Sequence, residues 1–170
     1  MKTPGIDKRA QLFLECRQLS IRTCLGAGTQ GTVYLCNVHY PPQSAFAQVA
    51  VKFHDRVAAY NRETQVYRRL RDLQITHVAG HRVPLLIHHD DQLLAIEMTI
   101  VSPPFCLDFG GAYLDNPPDY SPQTWADWEQ EKREQFEENW PAVENILTEF
   151  RLMGIHIADV NPGNIKFASN

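Results

Sequence analysis

The 170-residue sequence lacks any apolar run that approaches the roughly 20 residues needed to cross a bilayer. Its first residues, MKTPGIDKRAQLF, also lack the apolar stretch of a signal peptide. These two absences argue against a membrane protein and predict a soluble chain in the cytoplasm. A secreted effector is the alternative localisation.

The sequence also lacks an excess of positive charge. Its 16 Lys and Arg residues are outnumbered by 20 Asp and Glu residues, which gives a net charge of −4. Nucleic-acid-binding proteins cluster basic residues against the phosphate backbone, so this balance argues against nucleic acid as the main partner. The hydrophobic share of 44% is enough for the core of one domain, or of two small lobes that share a core.

No pair of cysteines is spaced as C-x-x-C; the four, Cys16, Cys24, Cys36 and Cys106, are scattered. The sequence therefore predicts reduced, partly buried thiols and no structural zinc site. The segment HRVPLLIHHDD, residues 81–91, contains three histidines and two aspartates. A polar turn between two apolar runs explains its last four residues, and a metal site is the alternative.

The order of elements predicts an α+β fold. Strands are predicted in a glycine hairpin over 21–40 and over 46–54, 83–87 and 92–101, with a helix over 58–73 among them. Residues up to about 15 form a short helix or tail. After a Gly-, Pro- and Asp-rich connector, helices follow over 121–139, capped by Ser121, and over 141–153, with a final strand at 164–167. A buried stripe is predicted on the last helix: Val143, Ile146, Leu147, Phe150 and Leu152. The predicted domains are 1–101 and 102–170.

The segment LGAGTQGTVYL carries a G-x-G-x-x-G motif at Gly26, Gly28 and Gly31. Two phosphate-binding architectures share this motif. In a dinucleotide-binding fold, the third glycine begins a helix. Here Thr32 and Val33 follow, and β-branched residues favour a strand. The sequence thus favours a glycine hairpin, whose backbone N–H groups can approach phosphate oxygens closely.

Two charged residues stand in apolar settings. Lys52 lies inside the strand VAVKF, where an ammonium is costly unless it meets an anion. In NRETQVYRRL, Glu63 is the only carboxylate of the helix before Asp72, and it shares a face with Tyr67. Glu63 is therefore a candidate partner for Lys52. The alternatives are an edge-strand lysine that faces solvent and a surface glutamate on a basic helix.

Together these stretches resemble the N-terminal lobe of the protein-kinase superfamily: a glycine loop, a V-A-V-K strand and a helix of the R-E-x-x-V-Y-x-x-L type. The resemblance implies that Lys52 holds the α- and β-phosphates of ATP and that Glu63 orients Lys52. It implies that Val33 and Ala50 pack on the adenine ring. The separation of 11 residues from lysine to glutamate is shorter than in most of the family.

The run LLAIEMTIV resembles the strand that leads into the family's hinge. In this resemblance Ile96 is the gatekeeper, and the backbones of Glu97 and Met98 bind the edge of adenine. The implied fold is protein-kinase-like: an antiparallel five-stranded N-terminal sheet with one helix, then a reduced, mainly helical C-terminal lobe.

The segment GIHIADVNPGN is similar to the family's catalytic loop. The match implies that Asp159 is the catalytic base and that Asn164 is a ligand of Mg²⁺ or Mn²⁺. The departures are Ile157 and Ala158, where the family has His and Arg, and Asn161, where it has Lys.

The family's D-F-G segment is expected after the catalytic loop and is missing there. The same letters occur upstream, at Asp108-Phe109-Gly110. One interpretation is a tight turn after a strand. The other is that the connector loops back, so that Asp108 serves as the second metal ligand or binds the ribose.

The resemblance implies ATP-dependent transfer of a phosphoryl group to a hydroxyl of a protein or a small molecule. The alternative is an inactive pseudokinase that binds a nucleotide or a partner protein. The helix WADWEQEKREQFEENW adds four aromatic residues that pack on the lobe or form a partner surface: Trp125, Trp128, Phe136 and Trp140.

Overall fold

A computed structural model describes residues 7–39 and 46–168. This part of the chain forms a mixed α+β structure with four α-helices: α1 (Lys8–Arg17), α2 (Val57–Asp72), α3 (Pro122–Phe136) and α4 (Trp140–Leu152). A single 3-10 turn, Glu137–Asn139, joins the last two. The strands are β1 (Leu19–Gly28), β2 (Gly31–Val38), β3 (Gln48–His54), β4 (His77–Val78), β5 (His81–Arg82), β6 (Leu86–Asp90), β7 (Ala95–Met98), β8 (Phe105–Cys106), β9 (Ala112–Leu114), β10 (Ile155–Ile157) and β11 (Ile165–Lys166).

Three sheets organise these strands. The largest has five antiparallel strands in the order β1-β2-β3-β7-β6. A four-stranded sheet has the order β11-β8-β5-β4, with one parallel pair between β5 and β8, and β10 pairs with β9. Of the small strands in the C-terminal part, β11 lies within the strand predicted at 164–167. The strands β8, β9 and β10 were not predicted, because a strand of two or three residues shows no hydrophobic period.

The chain divides into two compact units. The first comprises Met1–Thr64 and Leu85–Ile100, and the second comprises Gln65–Pro84 and Val101–Asn170. The predicted domains, 1–101 and 102–170, stay a prediction. Residues 65–84 belong to the second compact unit, so helix α2 contributes residues to both units.

In the first unit, α1 covers one face of the five-stranded sheet. Asp7 begins this helix because its carboxylate accepts a hydrogen bond from the Ala10 N–H at 2.8 Å. Phe13 packs edge to face on Phe53 of β3, with ring centroids 5.6 Å apart. The buried core of this face is Ala10, Phe13, Leu14, Leu19, Tyr34, Cys36, Val49, Val51, Phe53 and Ala95.

In the second unit, α4 buries the predicted stripe with one exception. Val143, Ile146, Leu147 and Phe150 are buried, but Leu152 is 83% exposed. The stripe prediction was wrong for Leu152 because two residues after Phe150 a helix has turned by about 200°, away from the core.

The strand predicted over 83–87 lies further along the chain in the structure, at Leu86–Asp90. Strand β6 begins at Leu86 and contains His88, His89 and Asp90, for which a turn is predicted from the sequence. The turn follows β6, and Leu94 has a positive φ of 53° there. β6 is an edge strand, so its polar side chains keep access to solvent while its backbone pairs with β7.

A glycine of the hairpin provides a test of this fold. Gly31 has φ +147°, and a Cβ placed there would lie 2.0 Å from the Phe53 carbonyl oxygen. Gly31→Ala should lower the free energy of unfolding by about 3 kcal/mol, measured by chemical denaturation. Gly28→Ala is the matched control: a Cβ there meets nothing within 4 Å, so its effect should stay within about 0.5 kcal/mol. Equal stability of the two variants would contradict the hairpin geometry.

The cysteines provide a second test. Burial raises the pKa of the Cys36 and Cys106 thiols to about 12, whereas Cys16 and Cys24 are exposed. At pH 8 a thiol of pKa 12 is ionised about one part in ten thousand, and the thiolate is the reactive form. A disulfide reagent at pH 8 should therefore modify Cys16 and Cys24 quickly and the buried pair only in denaturant. Rapid modification of all four cysteines in the native protein would show that Cys36 and Cys106 are not buried.

Candidate active site

The face of the large sheet opposite α1 carries four of the residues predicted to contact a nucleotide. Directly opposed residues of antiparallel strands share a face. Val33 of β2 lies opposite Lys52 of β3, and Ala50 of β3 lies opposite Met98 of β7. Since Ala50 and Lys52 are two residues apart, all four side chains lie on this face, together with Ile96.

Lys52 and Glu63 form a buried ion pair in the first unit. The Lys52 Nζ lies 2.7 Å from Glu63 Oε2, and the side chains are 7% and 1% exposed. The structure therefore contains neither of the two alternatives, an edge-strand lysine that faces solvent and a surface glutamate. Taking two charges out of water costs several kcal/mol per ion, so this pair depends on its close geometry and on further hydrogen bonds.

One such hydrogen bond comes from His54, which sequence reasoning missed. His54 Nε2 lies 2.7 Å from the same oxygen, Glu63 Oε2, and the imidazole is fully buried. His54 Nδ1 lies 3.3 Å from the Leu94 carbonyl oxygen. The available signal was spacing: His54 is two residues after Lys52 on the same strand and therefore shares its face.

Glu97 and Met98, the predicted hinge residues, both lie in β7 and pair with β3 on one side and β6 on the other. The buried Glu97 carboxylate accepts a hydrogen bond from Arg17 Nε of α1 at 2.7 Å. Beyond the strand, the Thr99 N–H donates to the Leu85 carbonyl at 3.0 Å. Adenine binding by the backbones of Glu97 and Met98 stays a prediction.

The glycine hairpin is formed by the paired strands β1 and β2. Residues 22–28 are exposed along the first arm. A Cβ added at Gly26 or Gly28 would meet nothing within 4 Å. Only Gly31 of the motif is therefore required by packing, and the other two glycines leave open space beside the backbone.

In the second unit, the loop after β10 carries Asp159 and Asn164. Asp159 is exposed, and a Cβ added at Gly111 would lie 2.6 Å from the Asp159 Cβ. Asn161 shapes the loop: its Oδ1 accepts from the Gly163 N–H at 2.8 Å, and its carbonyl accepts from the Asn164 N–H at 3.0 Å. Asn161 thus stabilises the turn of this loop through its side chain and its carbonyl.

The upstream D-F-G letters lie next to this loop. Strand β8 pairs antiparallel with β11, with Cys106 opposite Ile165, and the Leu107 N–H donates to the Asn164 carbonyl at 2.9 Å. Asp108 comes directly after, with φ 68°, and its Oδ1 accepts from the Gly110 N–H at 3.4 Å. The segment is therefore a turn after a strand, and that strand returns the chain to Asn164.

Phe109, the middle residue of this turn, is fully buried. Its ring packs edge to face on Tyr67, with centroids 5.3 Å apart, and on Phe150, with centroids 5.6 Å apart. Two aromatic partners fix the turn in the core of the second unit.

The aromatic helix α3 also contacts the loop. Trp128 donates its indole N–H to the Ala158 carbonyl at 2.7 Å, one residue before Asp159. Tyr120 packs on Trp125 and is 38% exposed. Burial, followed by the nearby Tyr113 and Asp159, raises the pKa of the Tyr120 phenol. Trp128 therefore packs on the second unit, as one of the two interpretations of these aromatic residues predicted. Tyr120 lies near Asp159 and was not predicted as a site residue from the sequence.

Across residues 7–39 and 46–168, no group of three or more His, Cys, Asp or Glu side chains is arranged to hold a metal ion. This finding covers the histidines and aspartates of 81–91. In the same described ranges, no helix is both long enough and apolar enough to cross a membrane.

Comparisons with known proteins find similarity among solved structures. No family model matches the chain, and no curated protein matches its sequence. Among solved structures, the streptomycin–ATP–APH(2")-IIa ternary complex is similar, with a TM-score of 0.42 and 18% identity. The match covers 59% of this chain and 30% of that chain, so it spans less than a third of that protein. A likeness of this extent assigns no activity to the present chain.

Proposed function

We propose that this chain binds ATP and transfers its γ-phosphate to a hydroxyl group of a protein or a small molecule. The observation that carries the proposal is the buried ion pair of Lys52 and Glu63 on the sheet face opposite α1. A buried pair adds little stability compared with apolar residues of the same volume, so its presence favours a functional role.

The first unit supplies the nucleotide contacts of this proposal. Lys52, oriented by Glu63, would bind the α- and β-phosphates, and the open backbone at Gly26 and Gly28 would approach phosphate oxygens. Val33 and Ala50 would pack on adenine. The Glu63 carboxylate holds the Lys52 ammonium in one position. A positive charge in a fixed position can form charge-assisted hydrogen bonds with the phosphate oxygens of ATP.

The second unit supplies the group that would handle the proton. The acceptor hydroxyl oxygen attacks the γ-phosphorus, the bond from phosphorus to the β–γ bridging oxygen breaks, and ADP leaves. Asp159, exposed on its loop, would accept the hydroxyl proton. The Trp128 hydrogen bond to the Ala158 carbonyl and the close contact at Gly111 restrain the backbone that carries this carboxylate.

Asp108 and Asn164 would hold Mg²⁺ or Mn²⁺. Both offer hard oxygen ligands, and the Leu107 hydrogen bond to the Asn164 carbonyl brings their backbones together. Such a cation, when bound, neutralises phosphate charge. Since a protein normally gives Mg²⁺ only one or two such oxygens and leaves the rest to water and phosphates, two residues suffice.

A second candidate function is a binding module without catalysis. Two departures within the loop favour it: Asn161 supplies no charge for a γ-phosphate, and Ala158 replaces the arginine that the family's catalytic loop carries. In this alternative the Lys52–Glu63 pair binds a nucleotide and no phosphoryl group is transferred.

The transfer reaction can be tested with labelled ATP and Mg²⁺ or Mn²⁺ over a panel of protein and small-molecule hydroxyl acceptors. Asp159→Asn should lower the transfer rate at least a hundredfold, since general base catalysis contributes about 10²–10⁴. Its Kd for ATP, measured by calorimetry, should stay within about twofold, because the base does not hold the nucleotide. Lys52→Met should weaken ATP binding about tenfold, through one lost charge-assisted contact.

Asp119→Asn is the control for this reaction, since Asp119 is an exposed carboxylate of the same unit. Unchanged transfer by Asp159→Asn would exclude Asp159 as the base. ATP binding that depends on Lys52 without any transfer would select the binding module. Wild-type protein that binds no ATP would overturn both functions.

The metal assignment predicts a separate effect of Asp108→Asn. Asparagine tolerates the left-handed backbone of this turn, so the fold should persist while one charged ligand is lost. In the presence of ATP, the affinity for Mn²⁺, measured by electron paramagnetic resonance, should fall about tenfold. Asp119→Asn should leave it unchanged. Equal Mn²⁺ affinity in wild type and Asp108→Asn would remove Asp108 from the metal site.

A further inference from the structure

His54 is a buried polar residue to which the proposed reaction assigns no role. Its imidazole is fully buried, and its ring packs edge to face on Tyr60 with centroids 5.5 Å apart. Its backbone is fixed as well, because the His54 N–H donates to the Leu94 carbonyl at 2.9 Å. The oxygens nearest its ring nitrogens are Glu63 Oε2, 2.7 Å from Nε2, and the Leu94 carbonyl oxygen, 3.3 Å from Nδ1. Both oxygens only accept hydrogen bonds and a neutral ring has one N–H, so the shorter contact, with Glu63, is the one assigned as a hydrogen bond.

The contact with Glu63 determines which nitrogen carries the proton. Glu63 is one of the most buried side chains of the described chain, and its carboxylate only accepts hydrogen bonds. The tautomer with hydrogen on Nε2 therefore donates to Glu63 Oε2 at 2.7 Å. Lys52 Nζ donates to the same oxygen at the same distance, so one carboxylate oxygen receives two donors from β3.

This shared oxygen restrains the position of Lys52. With Lys52 alone as partner, the Glu63 carboxylate could rotate about its side-chain torsions and take the ammonium with it. With His54 as a second donor on a rigid strand, rotation of Glu63 would break two charge-assisted hydrogen bonds instead of one. The Lys52 ammonium is thereby held in place before any ligand arrives, and it loses less conformational entropy on binding.

We infer that His54 is a positioning residue: it fixes Glu63 so that Lys52 stands ready for the phosphates of a nucleotide. This inference rests on the proposed function, because it concerns how the ATP-binding lysine is held. His54 itself touches neither phosphate nor base in this scheme. Its effect should therefore appear only for ligands that carry phosphates.

The test compares ATP with adenosine, whose Kd values are measured by calorimetry on the full chain. His54→Asn, whose amide is too short to reach Glu63, should weaken ATP binding about tenfold and change adenosine binding less than twofold. His54→Gln places its amide near the position of Nε2 and should restore ATP affinity to within about threefold of wild type. Tyr60→Phe is the matched control, since it keeps the ring beside His54 and removes only a hydroxyl.

A double-mutant cycle separates positioning from general stabilisation of the fold. If His54 acts through Lys52, adding His54→Asn to Lys52→Met should change ATP affinity less than twofold. A further tenfold loss in that background, or equal loss of ATP and adenosine affinity in the single variant, would overturn the inference. Wild-type protein that binds ATP no better than adenosine would overturn the proposed function and this inference with it. The melting temperature of each variant shows that folded protein is compared, and His54→Gln keeps the test decisive if His54→Asn unfolds.

Discussion

The fully buried carboxylate of Glu63 is the constraint on which the arrangement of the first unit depends. A buried carboxylate must be paired, since an unpaired one costs several kcal/mol, and here β3 supplies both donors. Lys52 and His54 lie on one face of that strand, and Glu63 lies on the helix that follows it. The charge therefore links sheet and helix at one point. It orients an ammonium on a face that also carries the apolar side chains of Val33, Ala50, Ile96 and Met98.

The second unit reaches its arrangement through strand pairing. Strand β11 follows Asn164 at once and pairs with β8, which leads directly into Asp108. In the family that the sequence resembles, the D-F-G turn comes after the catalytic loop. Here the same letters come before it, and the β8–β11 pair brings the turn beside the loop although the order along the chain is reversed. Proximity in an antiparallel pair does not depend on chain order, so the two proposed metal ligands can lie close together although Asp108 comes first in the sequence.

The features that could be predicted from the sequence have a signal in neighbouring residues. That signal is either a hydrophobic period or a charged residue in an apolar segment. The strand after Gly31, the inward Lys52 and the stripe around Ile146 each follow from neighbouring residues. What could not be predicted depends on distant ones. Arg17 meets Glu97 across 80 residues, and β8 meets β11 across about 60, through strands too short to show any alternation. His54 lay between the two cases: its face was readable, but nothing local showed that Glu63 would accept two donors.

The short spacing in sequence from Lys52 to Glu63 also helps to hold these two residues together. Strand β3 ends at His54 and α2 begins at Val57, so only Asp55 and Arg56 connect them. A connection of two residues leaves the start of the helix little freedom relative to the strand. The shared carboxylate then fixes the helix about two turns further on. Because the covalent connection and the buried hydrogen bonds restrain the same helix at two points, a movement of Glu63 away from Lys52 would have to bend this short connection and break both hydrogen bonds. The geometry thus favours a permanent Lys52–Glu63 ion pair over one that forms and breaks as the helix moves.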